Sequence, residues 1–96
     1  MKYFHRTHLA PETVIEKASA FFGPRLAPAE ETSMGRRFSG TIGQIGLHVT
    51  PEGGHYTLVT IETNQPGESE ADRLAKRFLT LIHSLADPGH VVRGAY

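Results

Sequence analysis

The hairpin predicted around residues 51–54 constrains this chain more than any other feature of its sequence. On both sides of the Pro-Glu-Gly-Gly segment, apolar and polar residues alternate, as in a strand with one buried face. A three-residue loop of Glu52, Gly53 and Gly54 would set the register. The facing pairs are then Val49 with Thr57, Leu47 with Val59, and Ile45 with Ile61. This register gathers the aliphatic side chains on one face of the hairpin.

The glycines before this hairpin raise the question of a phosphate-binding loop. Three of them, within residues 40–46, follow a G-x-x-G-x-x-G spacing. A phosphate loop stands between a strand and a helix, whereas strand-like segments lie on both sides of 40–46. The strand parity also changes between Phe38 and Ile45, which requires a bulge or a tight turn near residues 43–44. These glycines are therefore predicted to bend the sheet.

Two amphipathic helices are predicted, one on each side of the strand-rich centre. The first follows Pro11 and ends at Gly23, residues suited to a helix start and a helix stop. The second begins at Ser69 and Asp72, which match a capping pattern, and ends at residues 87–89. Its predicted apolar stripe consists of Ala71, Leu74, Ala75, Phe78, Leu81, Ile82 and Leu85.

The order of elements predicts an α+β fold in a single domain, residues 1–96. Residues 2–9 are predicted as a strand whose inward face the alternation leaves open, and 24–33 as a connecting loop. The order is β-α-β-β-β-α, with or without a final strand from 90–96, and both helices pack on one face of an antiparallel sheet of four to five strands. A ferredoxin-like β-α-β-β-α-β order is the alternative, if 34–49 form one long bent strand.

Composition and charge narrow the classes of function. The 96 residues include no cysteine, which excludes disulfides and cysteine-ligated metals. Ten basic and ten acidic residues cancel, so we expect neither a nucleic-acid partner nor charge that keeps copies apart. The start is too short and polar for a signal peptide, and no apolar run is long enough for a membrane span. We therefore expect a cytoplasmic protein without membrane partner or cofactor.

The segment "HLAPETVIEKASAFFG", residues 8–23, together with the order of the elements, resembles the helix-grip proteins of the START and polyketide-cyclase type. The resemblance implies a ligand cavity between sheet and helices. Those domains are longer and have six or seven strands, so this chain would be a truncated relative. A TATA-binding-protein-like half-sheet, completed by pairing with a second copy, is the other resemblance.

A small apolar or anionic ligand would have its candidate binding residues on the helices and the third strand-like segment. Phe22, Phe78 and Ile82 would line an apolar cavity, although a chain this short needs such residues for its core. Arg36 shares strand parity with Phe38, so its stem would cover apolar surface. Its guanidinium would bind an anion or pair with Glu30 or Glu31.

Other residues bear on catalysis, metal binding and self-association. His5 and Glu62 are weak candidates for a general base. The six histidines show no metal-ligand spacing, so no metal site is predicted. Tyr56 and Leu58 fall on the hairpin face opposite the aliphatic one, and this face is either solvated or covered by a second copy.

We therefore expect a dimeric binding or interaction module that holds a small ligand between sheet and helices or at the dimer seam. A small cyclase- or isomerase-type enzyme with one general base is one alternative. An interaction domain that acts only through its exposed sheet face is the other.

Overall fold

Five strands and two helices form residues 1–86, the part of the chain that the computed structural model describes. They are β1 (Lys2–Thr7), α1 (Pro11–Phe22), β2 (Ala27–Glu31), β3 (Gly35–Gly40), β4 (Gly43–Glu52), β5 (Tyr56–Thr63) and α2 (Glu70–Ala86). The final strand predicted from 90–96 lies outside the described residues. The α+β class and the antiparallel sheet are confirmed.

The strands lie in the order β1-β5-β4-β3-β2, and every neighbouring pair is antiparallel. Both helices contact β4, and the aliphatic side chains of β4 and β5 are buried against them in one cluster. Within residues 1–86, the sheet therefore has one face covered by helices and one face without a helical layer.

The core lies between the helices and the covered face of the sheet. Its buried side chains include Val14, Ala18, Phe22, Phe38, Ile45, Leu47, Val49, Val59, Ile61, Leu74, Phe78, Leu79 and Ile82. The ring of Phe22 lies 5.1 Å from that of Phe78 and 5.2 Å from that of Phe38, measured between centroids. These ring contacts join α1 and α2 to β3, because each element contributes one phenylalanine.

The hairpin forms with the predicted faces but a different register. Val49 faces Val59 and Glu52 faces Tyr56, so the loop consists of residues 53–55 and the predicted pairing is wrong by two residues. Gly53 and Gly54 have positive φ angles of 63° and 74°, which favour glycine in the loop. The observed register also places aliphatic residues directly opposite each other, and a shift of two leaves every side chain on its predicted face.

The glycine-rich segment contains a tight turn, as the change of parity predicts. β3 ends at Gly40, β4 begins at Gly43, and the φ of Gly43 is 126°. A Cβ at Gly43 would also lie 2.8 Å from Oδ1 of Asn64. Residues 34–49 are thus two paired strands, not the single bent strand that the ferredoxin-like alternative requires.

The prediction of a connecting loop over residues 24–33 is wrong, because this segment contains the strand β2. All five residues of β2 are exposed, and the strand pairs only with β3, with a register shift between Pro28 and Glu30. Proline is compatible with an edge strand, where its missing N–H is not needed by a second neighbour. Local propensity is weak here, and pairing with β3 decides the conformation.

Candidate functional site

The sheet surface opposite the helices, which we call the open face, is covered by no element within residues 1–86. The strand register assigns its side chains. They are Lys2, Phe4 and Arg6 of β1, Tyr56, Leu58, Thr60 and Glu62 of β5, His48, Thr50 and Glu52 of β4, and Arg37 and Glu30 of β3 and β2. Gly35 and Gly46 also lie on this face and leave a shallow depression of about 240 Å³.

One transverse row of the open face is a series of charges. In register across the sheet lie Lys2, Glu62, Gly46, Arg37 and Glu30. Nη2 of Arg37 lies 3.7 Å from Oε1 of Glu62, and its Nε lies 3.6 Å from Oε2 of Glu30. A Cβ at Gly46 would be 3.4 Å from Nη1 of Arg37, so the absence of a side chain lets the arginine reach across β4. Such exposed ion pairs add little stability and mainly fix the orientation of Arg37.

The part of the open face nearest β1 carries a small apolar patch, flanked by the two basic residues of β1. Phe4 is 60% exposed and Tyr56 is 45% exposed, and Leu58 is half-buried beside them. The rings of Tyr56 and His8 lie 4.7 Å apart. Exposed aromatic groups on a flat surface are typical of protein contacts.

The structure places Tyr56 and Leu58 on the open face, where the sequence predicted them. Sequence reasoning missed Phe4, because the alternation of residues 2–9 did not decide which side chains of that strand point inward. The pairing of β1 with β5 decides which side chains point inward: Phe4 faces Thr60, and Tyr3 faces the buried Ile61.

Arg36 donates hydrogen bonds to backbone carbonyls. Its Nη1 donates to the carbonyl oxygen of Gly35 at 2.8 Å and also to that of Thr32. Its Nε is buried without a hydrogen-bond partner among the described residues. The ion pair with Glu30 belongs to the neighbouring Arg37. Anion binding at Arg36 stays a prediction.

The predicted lining of a ligand cavity is part of the packed core. Phe22, Phe78 and Ile82 have no exposed surface, and the two rings contact each other. A ligand that touched these three side chains would have to open the contact between α1, α2 and the sheet. The role of these residues in binding a ligand stays a prediction.

The two candidate general bases do not meet. His5 faces Val59 on the covered side of the sheet, and Glu62 lies on the open face beside Arg37. The ring of His5 lies 5.8 Å from that of His83 on α2. Burial, and secondly the charge of His83, lower the pKa of His5. A single acid–base pair built from His5 and Glu62 is therefore excluded by their positions, and each remains a candidate only by itself.

The depressed pKa of His5 predicts that stability falls in mild acid. The unfolded chain, with a histidine pKa near 6.5, takes up this proton more readily than the folded chain. Lowering the pH from about 7.5 to about 5.5 is expected to decrease the free energy of unfolding, and this decrease should be smaller in His5→Gln. Urea unfolding at several pH values measures it, with His55→Gln in the exposed hairpin loop as the matched control. An unchanged slope in His5→Gln would contradict the prediction.

A polar network surrounds Asp72. The sequence predicts Asp72 only as part of the helix cap and does not predict this network. The Asp72 side chain is fully buried, and its Oδ1 accepts a 2.5 Å hydrogen bond from the hydroxyl of Tyr3. Its Oδ2 accepts from the N–H of Glu68 at 3.0 Å and lies 3.0 Å from Nζ of Lys76. Its own N–H donates to Oγ of Ser69 at 3.1 Å, which confirms the predicted cap.

The partners of Asp72 determine its protonation state. Burial by itself would raise the pKa of Asp72, but the hydrogen bonds from Tyr3, Lys76 and the Glu68 N–H outweigh it and lower the pKa. The bond to Asp72 and burial raise the pKa of the Tyr3 hydroxyl. Because donors from β1 and α2 both contact the Asp72 carboxylate, we infer that this network stabilises the fold.

Comparison with known proteins gives no relative for this chain. No protein-family model, no curated protein and no solved structure matches it. The resemblance to helix-grip or TATA-binding-protein-like domains therefore stays a prediction. Among residues 1–86, no helix has both the length and the apolar character needed to cross a bilayer. In the same range, no three histidine or acidic side chains converge as metal ligands would.

Proposed function

We propose that this protein is an interaction module whose open face is covered by a second copy of the chain. The observation that carries the proposal is the face of the five-stranded sheet that no element of the described residues covers, with Phe4, Tyr56 and Leu58 on it. Removing such apolar surface from water favours association. In a two-fold symmetric interface, an exposed ring of one copy can contact the depression at Gly35 and Gly46 of the other, and symmetry repeats the contact.

The charges of the open face favour a second copy over a strongly charged partner. Its three basic residues are Lys2, Arg6 and Arg37, and its three acidic residues are Glu30, Glu52 and Glu62. Their charges cancel, as do those of the whole chain. Two such faces meet without net repulsion, and opposite charges in both copies can orient them.

Charging the open face is expected to separate the dimer. Leu58→Glu and the more exposed Phe4→Glu place a carboxylate in the apolar part, and burying it without a partner opposes association. We expect the wild type to be a dimer with a Kd of about 1 µM or lower, and both variants to bind at least about tenfold more weakly. Sedimentation equilibrium measures the dissociation constant of the wild type and of each variant. Ala20→Glu, on the exposed surface of α1, is the matched control.

Two results would overturn the proposal. One is a wild type that is monomeric well above the expected Kd. The other is a dimer that both open-face variants leave intact although Ala20→Glu breaks it, which would place the interface on the helical side. Circular dichroism of each variant verifies that it remains folded.

A further inference from the structure

We propose that a second surface, on the helical side of the molecule, binds small molecules that carry a phosphate group. Arg25, Arg73 and Arg77 line a depression of about 750 Å³ together with Ile42, Leu74 and Glu70. We call it the arginine groove. It includes no residue of the open face, so this proposal stands independently of dimerisation.

Two separate parts of the chain bring the arginines together, and a third completes the groove. Arg25 follows α1, whereas Arg73 and Arg77 are four residues apart on α2 and so lie on the same side of that helix. The turn between β3 and β4 contributes Ile42. Because the fold gathers guanidinium groups from a loop and a helix around one groove, they can contact one ligand simultaneously.

Two of the guanidinium groups are already oriented by backbone carbonyls. Nη1 of Arg25 donates to the carbonyl oxygen of Phe21 at 2.7 Å, and the guanidinium lies 4.8 Å from the centre of the Phe21 ring. Nε and Nη2 of Arg73 both donate to the carbonyl oxygen of Glu68, at 3.1 and 2.9 Å. These bonds leave other N–H groups for an oxyanion, and a preset geometry reduces the entropy lost on binding.

These arginines form no ion pair with an acidic side chain within residues 1–86. Glu70 also lines the groove. Three positive charges against one negative charge leave a net charge of two. A phosphate monoester carries about −1.5 to −2 at neutral pH, whereas a carboxylate carries one negative charge. The charge of the groove therefore matches a phosphate better than a carboxylate.

The groove also has an apolar part. Ile42 is half-buried and lines the groove, so it provides a contact surface for the organic part of the ligand.

The experiment is a titration of the isotope-labelled protein with phenyl phosphate, followed by NMR of the backbone amides. We expect saturable shifts at residues 25, 41, 42, 73 and 77, with a Kd of about 1 mM or lower. Benzoate, which has the same ring and a carboxylate, should bind about tenfold more weakly, as one charge-assisted contact is worth about 1.4 kcal/mol or more.

Arg77→Gln is the decisive variant, because no hydrogen bond of the fold uses the Arg77 side chain among the described residues. It should weaken phenyl phosphate binding about tenfold. Lys17→Gln on α1 removes one positive charge outside the groove and should leave the affinity unchanged. The proposal is overturned by the absence of saturable shifts at about 10 mM ligand, by equal binding of benzoate, or by an unchanged affinity in Arg77→Gln.

Discussion

Replacing Phe78 with alanine is expected to lower the free energy of unfolding by about 4 kcal/mol. The side chain has no exposed surface, and its ring contacts those of Phe21 and Phe22 at centroid distances of 5.6 and 5.1 Å. Truncation would remove both ring contacts and leave a cavity where α1 and α2 meet the sheet. Since domains of this size are stable by about 5–15 kcal/mol, the variant would lose a large share of its stability.

Urea unfolding followed by circular dichroism measures this loss. Phe78→Leu keeps most of the apolar volume and is the matched control, with an expected cost of about 1–1.5 kcal/mol. A loss below about 1 kcal/mol for Phe78→Ala would contradict a packed core at this position. It would favour instead the cavity for a ligand that the sequence suggests around Phe22, Phe78 and Ile82.

Replacing Asp72 with alanine is expected to cost about 3 kcal/mol. The substitution removes the acceptor for the Tyr3 hydroxyl and the Glu68 N–H, together with the charge that pairs with Lys76. Removing one partner of a buried charged network leaves the others unsatisfied. Because Tyr3 is on β1 and Asp72 on α2, the loss should also weaken the attachment of β1 to the helical layer.

The pH dependence distinguishes the charge of Asp72 from its hydrogen bonds. Its pKa in the folded chain is below the usual value, so its contribution is present above pH about 4 and is lost as the pH falls through the folded pKa. We expect the free energy of unfolding to decrease from pH 5 to about pH 3 in the wild type, and less so in Asp72→Asn. Equal decreases in the two proteins would contradict a carboxylate held in its charged form.

The sequence alone predicts the features that depend on the two-residue alternation of side chains along a strand. Burial of Ile45, Leu47, Val49, Val59 and Ile61 follows from alternation, and it survives the two-residue error in the hairpin register because an even shift keeps the faces. The register itself depended on how many residues the glycine-containing loop uses, which the alternation leaves open.

The features that the sequence could not predict depend on contacts between residues that are far apart along the chain. Tyr3 and Asp72 are 69 positions apart, and neither shows locally that it has a buried partner. Arg25 is likewise separated from Arg73 and Arg77 by the strands β2 to β5. β2 was missed for a related reason: its sequence has weak strand propensity, and only its pairing with β3 makes it a strand.

The exposed strand β2 also limits how copies of this chain can aggregate. An edge strand with free backbone groups is a template on which further strands can grow into fibrils. Here Pro28 has no N–H to offer, the register shift interrupts the strand, and Glu30 and Glu31 add negative charge. Each of these features discourages the addition of a strand at this edge. The chain can therefore keep a bare sheet face for a partner while growth of the sheet beyond β2 is suppressed.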